Sequence, residues 1–242
     1  MCTVTFIPSS DKVVITSNRD EHVSRKARLR PIEQTINGLQ VVYPKDRTVG
    51  GTWFALNENG TIIVLLNGAF QNHKRTPPYR RSRGLLVLDV ISTENPLAVV
   101  QDIDLFNIEP FTLVLFDKSR LWEFRWDGRQ KHVKQLDAAQ SHIWSSWTLY
   151  DDEAQNLRNQ YFENFVAEDG YSGTQQILDF HRENHGDWEN GFIIDRLNGL
   201  KTLSVTQVVT KKNVCELRHF DLEADKEETV MLHKPSSLIS GL

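Results

Sequence analysis

Cysteine is scarce: Cys2 and Cys215 are the only two in 242 residues, and neither lies in a CxxC pair. That excludes a disulfide framework and points to a reducing compartment, with the cytoplasm as the default. No apolar run approaches the roughly 20 residues of a membrane-spanning helix, so no integral membrane segment is expected. The N-terminus lacks the charged, apolar and small-residue progression of a secretory leader. Phosphate loops of the GxGxxG or GxxxxGK[ST] type are missing. The eight histidines include no HExxH and no zinc spacing, so no metal or cofactor is expected. A net charge of −4 gives no global pull toward nucleic acid or anionic membranes.

What remains is ordinary globular composition, 39% hydrophobic and 25% charged, in a chain long enough to bury a substantial core. Short β-branched runs fill the first third: residues 2–7, 12–17, 40–43, 53–56 and 61–66. Asn57-Glu-Asn-Gly60 reads as a hairpin turn. From Ser82 the period becomes helical, and Pro96 divides two short helices. Strands FTLVLFD, RLWEFRWD and KHVKQL follow, then helices DDEAQNLRNQYFENFV and TQQILDFHRENHG, then strands GFIID, TLSVTQVVT, VCELRHFDL and ETVML. Hairpin-type connections between blocks of strands and blocks of helices favour an α+β fold, antiparallel sheets covered by helices.

The opening, MCTVTFIPSSDKVVITSNRDEH, carries the candidate chemistry. A turn at Pro8–Asp11 sets Ile7 opposite Lys12 and Cys2 opposite Ser17, which puts Arg19 on the face of Cys2 with Asp20 beside it. Removal of Met1 leaves Cys2 with its own base, an α-amine that ordinarily titrates at about pH 7.7–8.0. Thiolate is the attacking form, and a guanidinium nearby favours it. A terminal amine serving an adjacent nucleophile is an established catalytic arrangement. The other reading is an edge strand whose Asn18-Arg19-Asp20-Glu21 end is simply solvated.

The M-C-T start, the strand ending in N-R-D-E, the block GGTWFALNENGTIIVLLN and the helix start SRGLLV together resemble the NRDE family, also called the transport and Golgi organisation 2 family. That family is in turn similar to N-terminal-nucleophile hydrolases of the bile-salt hydrolase and penicillin acylase branch. The resemblance implies one domain over residues 1–242, a four-layer αββα sandwich of two antiparallel sheets flanked by helices. It makes Cys2 the nucleophile and, through its amine, the base. Arg19 and Asp20 become its supporting pair, and Asn67 an oxyanion-hole amide. The segment WSSWTLYDD, with Ser145 and Ser146, departs from the asparagine such hydrolases carry near a later strand end, and Arg218 is the one counterpart on offer for their late arginine.

Two basic runs, Arg25, Lys26, Arg28 and Arg30, then Lys74, Arg75, Arg80, Arg81 and Arg83, each leave a strand end assigned to the site. Together they form either a positive rim for an anionic ligand or solvated loops. They are not interleaved with aromatics, which argues against nucleic acid. Asn18, Glu21, Trp144, Ser146 and Trp147 are the candidate ligand contacts. His181 and His185, four apart on an expected helix, read as surface residues. Trp122, Trp126 and Trp188 read as core or pocket lining, and Cys215 as a buried small hydrophobe. The leading expectation is an amidohydrolase-like enzyme acting on a non-peptide C–N bond of a small anionic or amphipathic molecule. The alternatives are a non-catalytic binder or carrier of haem or an acyl lipid, or a membrane-traffic scaffold.

Overall fold

The computed structural model describes residues 3–25, 30–46, 48–167 and 173–235; Cys2, Lys26 and Arg28 lie outside this set. The elements run β1 (Thr3–Pro8), β2 (Val13–His22), β3 (Pro31–Ile36), β4 (Leu39–Pro44), β5 (Phe54–Asn57), β6 (Ile62–Asn67), α1 (Arg83–Ile91) and α2 (Pro96–Asp102). They continue β7 (Phe111–Asp117), β8 (Arg120–Trp126), β9 (Lys131–Leu136), β10 (His142–Ser145), α3 (Asp152–Ala167), α4 (Thr174–His181), β11 (Leu200–Thr210), β12 (Val214–Asp221) and β13 (Lys226–His233). One sheet has the order β10-β1-β2-β11-β12-β13 and the other β3-β4-β5-β6-β7-β8-β9. Every pairing is antiparallel.

Strand alternation builds the four layers. Val4, Phe6, Ile15, Val208 and Leu217 of the first sheet meet Phe54, Leu56, Ile62, Val64 and Val114 of the second in a central core. The opposite face of the second sheet buries Ile63, Leu65 and Leu113 against Val87, Val90 and Ile91 of α1. The outer face of the first sheet buries Ile7, Val14 and Val209 against Phe162 of α3 and Ile177 and Phe180 of α4. This is the αββα sandwich of two antiparallel sheets flanked by helices. Cys215 sits in the central core, where burial pushes its thiol up.

Several local expectations are corrected. The β1–β2 turn closes over Ser9–Lys12, with the Ser9 amide donating to the Lys12 carbonyl at 2.8 Å. Pro8 therefore stays in the strand opposite Val13, and Thr3 pairs with Asn18. Pro8 tolerates this place because its locked φ suits an extended terminus. The pairing moves by two places, an even number, so the face assignments persist. Strand β2 does not end before the NRDE stretch but runs through it, and Asn18, Arg19 and Asp20 are all buried. Residues of GFIID make only an isolated bridge, Asp195 with Lys201. The short strands β3 and β10 are not legible as strands in the sequence.

Helix α4 stops at His181 and His185 lies beyond it with a positive φ of 51°. His181 is fully buried. Both departures overturn the reading of a surface pair on one helix face.

Candidate active site

Alternation along β2 sends neighbouring residues of the NRDE stretch to opposite faces. Arg19 turns toward the second sheet, its guanidinium 4.6 Å from the Trp53 ring centre. It lies 3.7 Å from Glu21 and 3.6 Å from Asp46. Arg25 grips the same two carboxylates at 2.9 and 3.0 Å, and Asp46 also caps its own turn by accepting from the Thr48 amide at 2.9 Å. These groups wall one end of a cavity of about 720 Å³.

Asn67, the last residue of β6, borders the same cavity. Its carbonyl accepts from Ser146 Oγ at 2.9 Å. Gly68 turns the chain with φ 80° and packs so closely that a Cβ there would lie 3.0 Å from Trp147 Cβ. Arg75, Arg80, Arg81 and Arg83 complete the wall. Among the described residues the cavity is lined by six arginines and three carboxylates, Glu21, Asp46 and Glu109, and Arg80 and Arg81 pair with Asp104 and Asp89 outside the lining. Glu109 holds Arg75 and Arg83, both at 3.1 Å, which fixes two guanidinium groups along the wall. Burial pulls Arg83 below the usual arginine range and Glu109 opposes that shift. The start of α1 is pinned here too: a Cβ on Gly51 would fall 2.4 Å from the Gly84 carbonyl carbon, and the Thr52 amide donates to the Gly84 carbonyl at 3.0 Å.

Asp20 points the other way, into the layer under α3 and α4. Its carboxylate accepts from Tyr150 Oη at 2.7 Å and from Thr202 Oγ1 at 2.6 Å. Asn18 shares that face and lies away from the cavity. Its amide donates to the carbonyls of His181 (2.9 Å) and Phe192 (2.8 Å), which leaves its oxygen to accept from His181 Nδ1. His181 Nε2 is then the acceptor for Thr5 Oγ1 at 2.7 Å, so the network assigns a neutral imidazole protonated on Nδ1. Burial, with Arg158 nearby second, holds the His181 pKa well below its ordinary value.

That depression makes stability depend on pH. The unfolded imidazole takes a proton near pH 6.5 and the folded one resists it, so this contribution is present above about pH 6.5 and lost below it. The slope from one such group is at most about 1.4 kcal/mol per pH unit. Urea denaturation at pH 7.5 and 5.5 should show a larger acid loss for wild type than for His181→Gln; equal losses would refute it.

Trp144 and Trp147 border a separate cavity of about 210 Å³, behind β10, where Trp144 Nε1 donates to Glu123 at 2.8 Å. Trp188 is exposed and Trp126 buried. Arg218 pairs with Glu227 at 2.8 Å on β12 and is not among the cavity-lining residues. Arg30 pairs with Glu228, also away from the cavity. Sequence reasoning misses Trp53, Asp46, Glu109, Tyr150, Thr202 and Arg158; only Trp53 has a local signal, the GGTW block. Among the described residues no cluster of histidine, cysteine and carboxylate groups could hold a metal ion, and no helix is long and apolar enough to cross a membrane.

Two antiparallel sheets face to face, helices outside, and a polar cavity at one end of the interface define the N-terminal-nucleophile hydrolase fold, and solved structures of that class match it. A Caenorhabditis elegans orthologue of N-acylethanolamine-hydrolyzing acid amidase superposes with a TM-score of 0.60 at 10% identity, over 85% of this chain and 92% of that one. An arginine-to-leucine variant of conjugated bile acid hydrolase from Clostridium perfringens gives 0.60 at 9% identity, over 95% and 92%. A cysteine-to-alanine mutant of the same hydrolase gives 0.56 at 10%, over 95% and 96%. The family profile for Transport and Golgi organisation 2 matches residues 1–193, and the chain belongs to that family. No curated protein sequence matches it closely.

Proposed function

We propose that the protein is an N-terminal-nucleophile amidohydrolase for a small anionic or amphipathic molecule, with Cys2 as nucleophile once the peptide bond before it is cleaved. The supporting observation is the place where the chain enters β1. Thr3 pairs with Asn18 on one side and Ser145 on the other. The next residues on those flanking strands are Arg19, which lines the cavity, and Ser146, whose hydroxyl holds the Asn67 carbonyl. Cys2 is one peptide bond from Thr3, about 3.8 Å between Cα atoms.

In this reading the Cys2 amine takes the thiol proton, and sulfur attacks the carbonyl carbon of a C–N bond. The oxyanion accepts a hydrogen bond from the Asn67 amide. Collapse breaks the C–N bond and the ammonium returns its proton to the leaving nitrogen, leaving a thioester. The amine then deprotonates water, whose attack releases a carboxylic acid and restores the thiol. Arginines on the cavity wall suit a carboxylate or phosphate on the substrate.

A carrier reading is favoured by the same arginines and by Ser146 standing where the similar hydrolases are expected to have asparagine. For the carrier reading, the arginines of the cavity wall suit an anionic acyl lipid as cargo. A membrane-traffic scaffold has no specific observation behind it.

The test compares wild type with Cys2→Ser. Intact mass should show Cys2 as the first residue, and iodoacetamide at neutral pH should modify Cys2 faster than buried Cys215. Turnover of an anionic N-acyl amide should vanish in Cys2→Ser. Retained turnover in the variant removes Cys2 as the required nucleophile, and no turnover in wild type with unchanged ligand affinity in the variant favours the carrier.

A further inference from the structure

The six cavity arginines are not equivalent, and their partners separate them. Arg19 and Arg25 face Glu21 and Asp46, two cations against two anions. Arg80 and Arg81 are each matched by one carboxylate outside the lining, Asp104 and Asp89. Arg75 and Arg83 share Glu109 alone: its Oε1 takes Arg75 and its Oε2 takes Arg83, both at 3.1 Å. His73 reaches the same Oε1 at 3.3 Å and brings no negative charge. Among the described residues this corner is therefore the one where guanidinium charge exceeds the carboxylate charge that holds it.

The two guanidinium groups also differ in setting. Arg75 is 72% exposed along its side chain and Arg83 only 15%. Arg83 Nη1 donates to the Pro110 carbonyl at 2.8 Å, and the Gly68 amide donates to that same oxygen at 3.1 Å. Gly68 follows Asn67 directly, so one carbonyl joins the guanidinium to the strand end that carries the proposed oxyanion donor. Burial is the main cause that pulls Arg83 below the usual arginine range; Glu109 opposes it, and Arg75 adds to it. Glu21 acts on Arg83 as well, which puts Arg83 within electrostatic reach of the Arg19 end of the cavity. The side chain stays charged, and each anchored nitrogen keeps a second N–H. A guanidinium held in one orientation, mostly out of water and short of counter-charge, suits bidentate capture of a carboxylate.

We infer that Arg83, assisted by Arg75, is the specificity-determining anion site of the cavity, and that it selects molecules whose carboxylate stands a short spacer from the scissile amide. This deepens the hydrolase reading above and rests on it. The link through Pro110 sets the spacing: an anion on Arg83 lies beside the Asn67 strand end, whereas Arg80 and Arg81 hold their carboxylates out in solvent.

The experiment uses N-octanoylglycine and N-octanoyl-ω-aminoundecanoate, each beside its neutral carboxamide. Calorimetry measures their binding to Cys2→Ser, and wild type is assayed for turnover. The glycine carboxylate should bind about tenfold tighter than its carboxamide, and the long-spacer carboxylate less than about twofold tighter than its own. Arg83→Met in the same background should cut the glycine preference to under about twofold. If Arg83→Met keeps the preference, or the long-spacer carboxylate shows it equally, the inference is overturned. Should Arg83→Met not fold, Glu109→Gln keeps the shape of the corner and removes its counter-charge. That variant should bind the glycine carboxylate severalfold tighter; unchanged or weaker binding overturns the inference too. The two readings fail separately. If wild type turns over no probe while the short-spacer preference and its loss in Arg83→Met are seen, the hydrolase reading falls and the anion site stands. If wild type hydrolyses both carboxylates and both carboxamides equally well, the hydrolase reading stands and the anion site falls.

Discussion

Asn67→Ala is expected to lower kcat about 10²–10³-fold while KM changes little, the loss that follows removal of one preorganised oxyanion donor. The expectation rests on how the residue is held. Its backbone is paired with Phe111 on β7 and its carbonyl is fixed by Ser146, so the substitution leaves the strand end in place. Asn67 borders the cavity and its side chain makes no hydrogen bond with the described residues, so the thermal midpoint should move little. Steady-state kinetics on an anionic N-acyl amide decide the matter, and a kcat within a factor of about three of wild type would remove Asn67 from the oxyanion site.

The second large effect falls on stability. Asn18→Leu deletes three buried hydrogen bonds at once, strands the His181 carbonyl and His181 Nδ1–H, and leaves the Phe192 carbonyl a long bond of 3.4 Å from Thr202 Oγ1. Each unsatisfied buried group costs about 1–3 kcal/mol, so urea denaturation should register a loss of about 3 kcal/mol or more. A loss below about 1 kcal/mol would mean that the network relaxes or takes up water. Activity per folded molecule should suffer far less, since Asn18 does not line the cavity.

These two asparagines show what the sequence could and could not reveal. Asn67 and Arg19 are legible because each sits in a recognisable block at or near the end of an apolar strand, and the structure sets both against one cavity. The fold is legible too: strands alternate cleanly around the central core, and the helix starts carry their signals at Ser82 and Pro96. Asn18 is not legible as a structural residue. Thr3, Thr5, Thr16, Asn18 and Asp20 all lie on one face of β1 and β2, and a row of polar residues on one face reads as a wet surface. The face is in fact buried, because Arg158, His181, Tyr150 and Thr202 arrive from distant parts of the chain to satisfy it. Such long-range partners leave no local period. Strand β3 escapes notice for the opposite reason: none of its residues is buried, and PIEQTI shows no apolar–polar alternation. The turn of the first hairpin is misplaced from sequence because proline looks like a turn residue, although at Pro8 it closes the strand.

The division of the NRDE stretch between two faces carries one more implication. Arg19 answers to the cavity and Asp20 to the helical layer, although they are consecutive. A slip of β2 by a single position would carry the guanidinium among the helices and drop the carboxylate into the arginine-lined hollow. Ligand recognition and the anchoring of the outer helices are therefore wired through the same peptide bond, and neither can drift by insertion or deletion without upsetting the other.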